Sequence, residues 1–382
     1  MTWTVTFEVD FDAPASGTPG TWTDLTGRVW GGTRGRVDIG RGEASLQLLN
    51  RDRHLDPTNP DAPYNLIPMR HARIVADVDG TPFPLFRGFV EEWPPVWPSA
   101  DEARVAVRLV DGLAWLALSD TDVDLPAQKA GDRIGALLDL ADWPEALRDL
   151  DEGQARLDPL EQVGANVRRL IEDTVEADQG RLWVAGDGKV TFRDRHATFD
   201  ADPDATVGPE GIPVGAVSPS FGAGPMVNVA RLEMADGRVF TTIDQESKDE
   251  FGPRDWPYRD LALPAAEAHG LGDWAVFRYG SPRTWLDRLQ VRTWQRPNDV
   301  LAVGPSSRVT FTHEPPGDAG SAVVDVVVES VSHRIRSDEW LTFWDCEPWF
   351  GAGPWMVWLS DEATEGEAWL SDEATEGGRW AP

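Results

Sequence analysis

The residues of this chain that come nearest to chemistry are its histidines, a set of spaced aspartates, one Glu-Glu-Trp triplet and two glycine- or serine-bearing turns. The histidines stand at His54, His71, His196, His269, His313 and His333, and no two have the spacing that puts paired metal ligands on one helical face. Asp120, Asp122 and Asp124 start like a calcium loop, but Leu125 and Gly131 occupy the places where that loop needs its glycine and its bidentate glutamate. Asp200, Asp202 and Asp204 offer oxygen ligands for calcium in a second acidic loop, for which a solvated polar turn is the better reading. Glu91 and Glu92 precede Trp93, and an apolar aromatic neighbour can raise a carboxyl pKa. Strand alternation sends the two glutamates to opposite faces, which defeats a glycosidase-type acid and base. Gly31-Gly32-Thr33-Arg34-Gly35 lacks both dinucleotide-binding spacing and the Lys-Ser/Thr of a phosphate loop. Ser218-Pro219-Ser220 has no histidine nearby to activate a nucleophile. The expectation is a protein with no catalytic residues, no metal and no cofactor.

Composition points the same way. Asp plus Glu number 65 against 35 Lys plus Arg, a net charge of −30 that repels phosphate. Stable nucleic-acid binding is therefore not expected, although DNA can pass a like-charged wall without sticking to it. The lone cysteine, Cys346, excludes an intrachain disulfide framework. The acidic start, MTWTVTFEVDFD, is unlike a signal peptide, and no apolar run is long enough to span a membrane, so folding in a cytoplasm is expected. Tryptophan is abundant, and Trp93, Trp97, Trp115, Trp143, Trp256, Trp274, Trp285 and Trp294 could in principle stack on sugar rings. Most fall where periodicity assigns them to a core, so packing accounts for the majority.

The elements that position these residues are mostly strands. Residues 2–11 alternate, with Trp3, Val5, Phe7, Val9 and Phe11 on one face; residues 44–50 and 103–110 alternate again. Asp79-Gly80 fits a tight hairpin because both residues tolerate positive φ. Residues 111–118 suit a short helix. The middle changes period: Ile134, Leu137, Leu138 and Ala141 recur at helical spacing up to Pro144, and Asp158-Pro159-Leu160-Glu161 predicts the start of a helix running to Asp178. Residues 181–193 then form a hairpin around Gly186-Asp187-Gly188. From about 215 onward, strands are expected at 227–243 around Asp236-Gly237, at 284–294, 307–313, 322–336 and 339–346, with a helix over 264–279. The chain is long enough for two or three domains. The fold class is mainly β with a small α+β insert: a first β-barrel at 1–118, the insert at 119–200, a second β-barrel at 201–350, and an arm at 351–382. In the arm WLSDEATEG occurs twice, eleven residues apart, in a region dense in acidic residues and tryptophan.

Several separated segments resemble the tail hub proteins of long-tailed siphophages, the minor tail proteins of actinobacterial phages. The residues that carry the resemblance are Asn50, Arg51, Asp52, Asp56, Pro57, Thr58, Asn59 and Pro60 in the pattern N-R-D-x-x-x-D-P-T-N-P, and the P-L-F-x-G-x-V-E-x-W strand from Pro84 to Trp93. The V-D-G-L-A-x-L segment from Val110, the hairpin from Gly180 to Arg195, and the V-x-x-V-S-H-x-I strand from Val328 with its W-L-T-F return at Trp340 follow in order. The resemblance implies two tube-type β-barrels per chain and a homotrimer whose six barrels continue the tail tube. It also implies a distal tail protein or tube above, the tape-measure C-terminus within, and fibre or tip proteins below. The implied role is a structural, non-enzymatic hub of the virion tail tip, assembled in the bacterial cytoplasm, that gates the DNA conduit. A carbohydrate-binding tip protein is the alternative, and a wall-degrading hydrolase a weaker one.

With no catalytic set, the proline-rich loop at 51–68 becomes the expected contact surface. Asp56, Pro57, Asn59, Pro60 and Tyr64 are its candidate contact residues, and Trp358 and Trp369 are the paired anchors of the arm. Pre-set proline φ angles would reduce the entropy lost on docking.

Overall fold

In a computed structural model of the chain, residues 3–350 are described, apart from 31–35, 100–101, 200, 216, 218, 223–225, 235–236, 262 and 315–320. The opening strand, Trp3–Asp10, buries Val5, Phe7 and Val9 and pairs antiparallel with Arg70–Val78. That strand returns through Asp79-Gly80 into Thr81–Glu92. Asp79 (φ 49°) and Gly80 (φ 90°) are both left-handed, the twist a two-residue hairpin turn requires. Glu43–Leu49 buries Ala44, Leu46 and Leu48 and lies between Glu102–Val110 and the short strand Arg36–Ile39.

Arg36–Ile39 is where the chain's two β regions meet. Its outer edge pairs antiparallel with the late strand Ala322–Arg336, setting Ile39 opposite His333 and Val37 opposite Ile335. Ala322–Arg336 turns at Ser337-Asp338 into Trp340–Pro348, and this one hairpin serves two cores. Ile335 and Trp340 are buried among Phe7, Leu46 and Ile74, with Trp3 edge-on to Trp340 at 5.3 Å. Val326, Val328, Trp344 and Cys346 are buried among Leu289, Phe311 and Val309. Between them His333 Nδ1 lies 2.8 Å from Thr342 Oγ1, which lies 2.6 Å from Thr293 Oγ1, so the polar groups at the junction are paired with one another. The result is a single 13-stranded sheet. Its hydrogen-bonded path ends open, at Thr23–Asp24 and Ala205–Val207, with no closed ring of strands among the described residues. The mainly β class with an α+β part is as expected.

A third core gathers the helical segments. Ala130–Leu140 and Val167–Asp178 pack with the hairpin Arg181–Val184 and Val190–Arg193, and the same cluster takes in Val229–Met234 and the helix Ala265–Tyr279 from later in the chain. The helix expected from Asp158 begins only at Val167. Leu160–Asn166 is instead a strand paired with Asp120–Leu125, and Asn166 is the cap, its side-chain oxygen accepting from Arg169 N. The local Asp-Pro-Leu-Glu signal loses to a pairing with a strand far away in sequence. The aspartates of the would-be calcium loop lie on that partner strand.

Two contacts dock this core on the sheet. At Gly186 an added Cβ would stand 2.1 Å from the Pro84 carbonyl oxygen, so only glycine permits the approach. Glu347, on the last strand, takes ion pairs from both Arg181 and Arg278. Burial, together with the neighbouring Arg278 charge, pushes the Arg181 pKa down to about 10.

Because Trp340 is fully buried in a core built mainly by the other end of the chain, Trp340→Ala should cost about 3–5 kcal/mol of stability. Urea unfolding followed by far-UV circular dichroism measures this; a loss under about 1 kcal/mol would mean the hairpin does not hold the first core.

Candidate functional site

Strand direction brings three loops to one end of the first β region. Trp3–Asp10 ends there, as do Glu43–Leu49 and Thr81–Glu92, while Arg70–Val78 and Glu102–Val110 begin there. The connections there are residues 11–22, 50–69 and the segment from 93, which contains the short strand Pro95–Ser99. The first is organised by Asp10, 1% exposed, whose Oδ1 accepts from Asp12 N and Ala13 N and whose Oδ2 accepts from Gly20 N and Thr21 N, all at 2.8–2.9 Å. Burial alone would raise this carboxyl pKa, but the four amides outweigh it and hold it at about 2. From the neighbouring strand Arg70 donates to the Ala13 carbonyl at 2.6 Å, and His71 Nε2 lies 3.0 Å from the Pro14 carbonyl.

The 50–69 loop is tied down from within. Buried Asn50 accepts from Leu55 N at 2.9 Å and so turns Leu55 into the core. Arg28 forks onto Asp52 at 2.9 and 2.6 Å, and this charge-assisted pair holds the Asp52 pKa at about 2. Asp56 is wholly buried; its Oδ1 accepts from Thr58 N and Oγ1, and its Oδ2 from Arg53 Nε at 2.9 Å. Burial raises the Asp56 pKa, and those donors reverse the effect and lower it overall. Asn59 Nδ2 donates to the Arg53 carbonyl at 2.9 Å. Tyr64 stacks on Phe11 at 4.5 Å, and Phe11 on Trp93 at 5.7 Å, which locks this loop against the first one.

The contact residues expected from sequence therefore divide. Asp56 does not face outward: its carboxylate is consumed inside the loop, and it acts as the loop's internal tie. Asn59 and Tyr64 are half-buried and likewise spent on holding the loop, while Pro57 and Pro60 are exposed. Trp358, Trp369 and the WLSDEATEG repeat lie outside the described residues, as do Gly31–Gly35 and Ser218. Ile67 (50% exposed) and Trp97 (60%) also lie at this end. Trp97 sits on the short strand Pro95–Ser99, which pairs with one side of Glu102–Val110, while on the other side of that strand Asn50 N donates to the Ala103 carbonyl. The prolines on either side of Trp97 were the available sequence signal, since they confine a strand to a sheet edge. Of the tryptophans considered for sugar stacking, Trp93, Trp143 and Trp274 are buried, Trp115 and Trp256 half-buried, and Trp97 and Trp294 exposed. Glu91 faces solvent and pairs with Arg108 at 3.0 Å.

Comparison with known proteins adds the fold. No family model and no curated protein matches the chain. A 43 kDa tail protein of prophage MuSo2 from Shewanella oneidensis is 13% identical with a TM-score of 0.58, over 91% of this chain and 97% of its own. A tail protein from Neisseria meningitidis MC58 is 13% identical with a TM-score of 0.59, over the same 91% and 97%. An Escherichia coli component of the type VI secretion system, described as structurally similar to the T4 bacteriophage tail proteins gp27 and gp5, is 12% identical with a TM-score of 0.50, over 84% of this chain and 75% of its own. The chain has the fold of these proteins.

Asp10 yields a pH test. Its folded pKa lies below the unfolded value of about 3.9, so its stabilisation is present above that value and is lost as pH falls through about 2. Asp10→Asn should be less stable by about 1.5–3 kcal/mol at pH 7, and the gap to the unaltered chain should narrow below about pH 4. Denaturation at several pH values measures it; a gap that does not change with pH would show that the charge on Asp10 is not what holds the loop. Asp56→Ala should cost about 1–3 kcal/mol, whereas Pro57→Ser and Pro60→Ser should each stay within about 1 kcal/mol of the unaltered chain.

Proposed function

We propose that this chain is a structural virion protein, the tail-tip (baseplate) hub of a long-tailed phage. In this reading three copies close a ring that continues the tail tube, and each copy contributes two barrel-like β regions, 1–118 and 201–350, to the wall. The small α+β part, 119–200, stands beside that wall, and within 201–350 the strand Val229–Met234 and the helix Ala265–Tyr279 belong to its core rather than to the second β core. The observation that carries the reading is the pairing of Arg36–Ile39 with Ala322–Arg336, which makes one continuous sheet of two β regions, in a fold shared with phage tail proteins over nine-tenths of the chain. A tube wall of repeated β units needs such a fusion, because a ring whose two units per subunit hinged freely would not keep a fixed bore.

The net charge of −30 supports a conduit that DNA crosses without binding. The loop end with Pro57, Pro60, Ile67 and Trp97 is the surface offered to the adjoining ring or tip proteins. It has the features of a contact site: internal ties that leave little entropy to lose, and an exposed tryptophan as anchor. The distal tail protein or tube, the tape-measure C-terminus and the fibre or tip proteins are the proposed neighbours. No catalytic role, metal or cofactor is proposed.

Light scattering with negative-stain imaging tests the reading. A particle of three chains with six β units around a hole is expected; a monomer that forms no ring with tail-tube protein present would contradict it. Trp97→Ala should leave stability nearly unchanged and weaken assembly by about tenfold or more, read from the concentration dependence of the ring.

A further inference from the structure

Val239–Ile243, Val229–Met234 and Asp255–Leu261 form a three-stranded sheet with Val229–Met234 in the middle and the Ala265–Tyr279 helix packed on it. Among the described residues neither outer strand pairs further, and the two edges differ in character. The Asp255–Leu261 edge carries Asp255, Pro257 and Arg259, the residue types by which natural sheets discourage pairing. The opposite edge reads Val-Phe-Thr-Thr-Ile, without charge, proline or glycine, and leaves Val239 60% and Ile243 44% exposed.

The inner hydrogen bonds fix which backbone groups of this edge face outward. Met234 N donates to the Arg238 carbonyl at 2.8 Å, and Asp244 N to the Asn228 carbonyl at 2.9 Å. Bonded and non-bonded pairs alternate along an antiparallel ladder, so Phe240 and Thr242 bond inward as well. The N–H and C=O groups of Val239, Thr241 and Ile243 therefore point to the open side.

Laid antiparallel against a second copy of itself and centred on Thr241, the segment 238–244 is its own complement. Thr241 meets Thr241 as a hydrogen-bonded pair and Val239 meets Ile243, so every outward N–H and C=O on both chains finds a partner. Thr with Thr and Val with Ile are favourable cross-strand pairs. At either end the same register sets Arg238 of one copy opposite Asp244 of the other. Most surfaces of two chains that each carry −30 repel one another. An uncharged edge, bounded by one cation and one anion, is where two copies can meet.

We propose that the Val239–Ile243 edge is a self-association site, at which two copies of this chain pair antiparallel about a two-fold axis through Thr241 and join their sheets into one. Such a contact is isologous, the same surface serving both copies. It is separate from the ring proposed above, because its strands belong to the α+β core and not to the sheet that crosses both β regions.

Light scattering across a protein-concentration series tests this on the full chain, with amide hydrogen exchange on the same samples. Particle mass should rise at least about twofold with concentration, whether the starting particle is a single chain or a ring. The Val239, Thr241 and Ile243 amides should exchange at least about tenfold more slowly in the heavier particle. Thr241→Pro removes one outward N–H from each copy without taking a bond from the inner ladder. It should abolish both effects and leave any ring intact, so the two readings fail separately. Ile243→Glu should weaken association about tenfold or more, and adding Val239→Lys should restore it, since the two-fold axis sets those positions face to face. Undiminished association of the Thr241→Pro chain, or no rescue by the second substitution, would overturn the proposal. Fast exchange of these amides at every concentration would overturn it too. So would slow exchange in particles that have gained no mass, which would show the edge covered by its own chain.

Discussion

The pairing of Arg36–Ile39 with Ala322–Arg336 is the constraint on which the rest of this architecture depends. Without it the chain would hold two β regions joined by peptide connections; with it, one hydrogen-bonded path crosses both. The hairpin that supplies the pairing also places Trp340 in one core and Trp344 in another, only four residues apart on one strand. Strand alternation alone would send both side chains to the same side, so a single face of the hairpin seals two cores where they adjoin. Sliding one region against the other would expose an indole on each side. Burial of that much aromatic surface makes the junction stiff rather than hinged.

A second theme is the use of carboxylates, two of them buried, as loop organisers. Asp10 and Asp56 each accept several hydrogen bonds from their own loops, and Asp52 holds an arginine from a neighbouring segment. Such ties give irregular backbone a single conformation without a hydrophobic core of its own. They explain how a loop dense in proline and aspartate presents a fixed surface at the end of a sheet. In a chain so acidic overall, these carboxylates fix structure rather than simply adding surface charge.

Much of this was legible from sequence wherever the signal is local. Val5, Phe7 and Val9 alternate and are buried, and Asp79-Gly80 makes the hairpin its φ preferences demand. The Ala265–Tyr279 helix forms despite Gly270 and Gly272, because it packs on strands that need covering. What failed is what depends on distant partners. Asp158-Pro159-Leu160-Glu161 looks like a helix start, yet Leu160–Asn166 is taken by a strand from the other side of the Ala130–Leu140 helix. The loop was identifiable as a shaped element, but polar residue types do not reveal which way they point: Asp56 proved internal and Trp97 external. The junction itself leaves no local trace, since nothing in Arg-Val-Asp-Ile announces a partner near the other end of the chain.

The one cysteine gives a direct measurement of that junction. Cys346 lies in the second β core, 7% exposed, and burial, with help from the nearby carboxylates Asp345 and Glu329, pushes its thiol pKa up to about 12, so it is inert while that core is closed. Its reactivity toward a thiol reagent, followed across a urea titration alongside the far-UV signal of the whole sheet, reports whether the two β regions open together. If the junction fuses them, Cys346 becomes reactive at the urea concentration where the strand signal as a whole is lost. Labelling while about half of that signal persists would show that the second core opens by itself, and would contradict a single rigid wall.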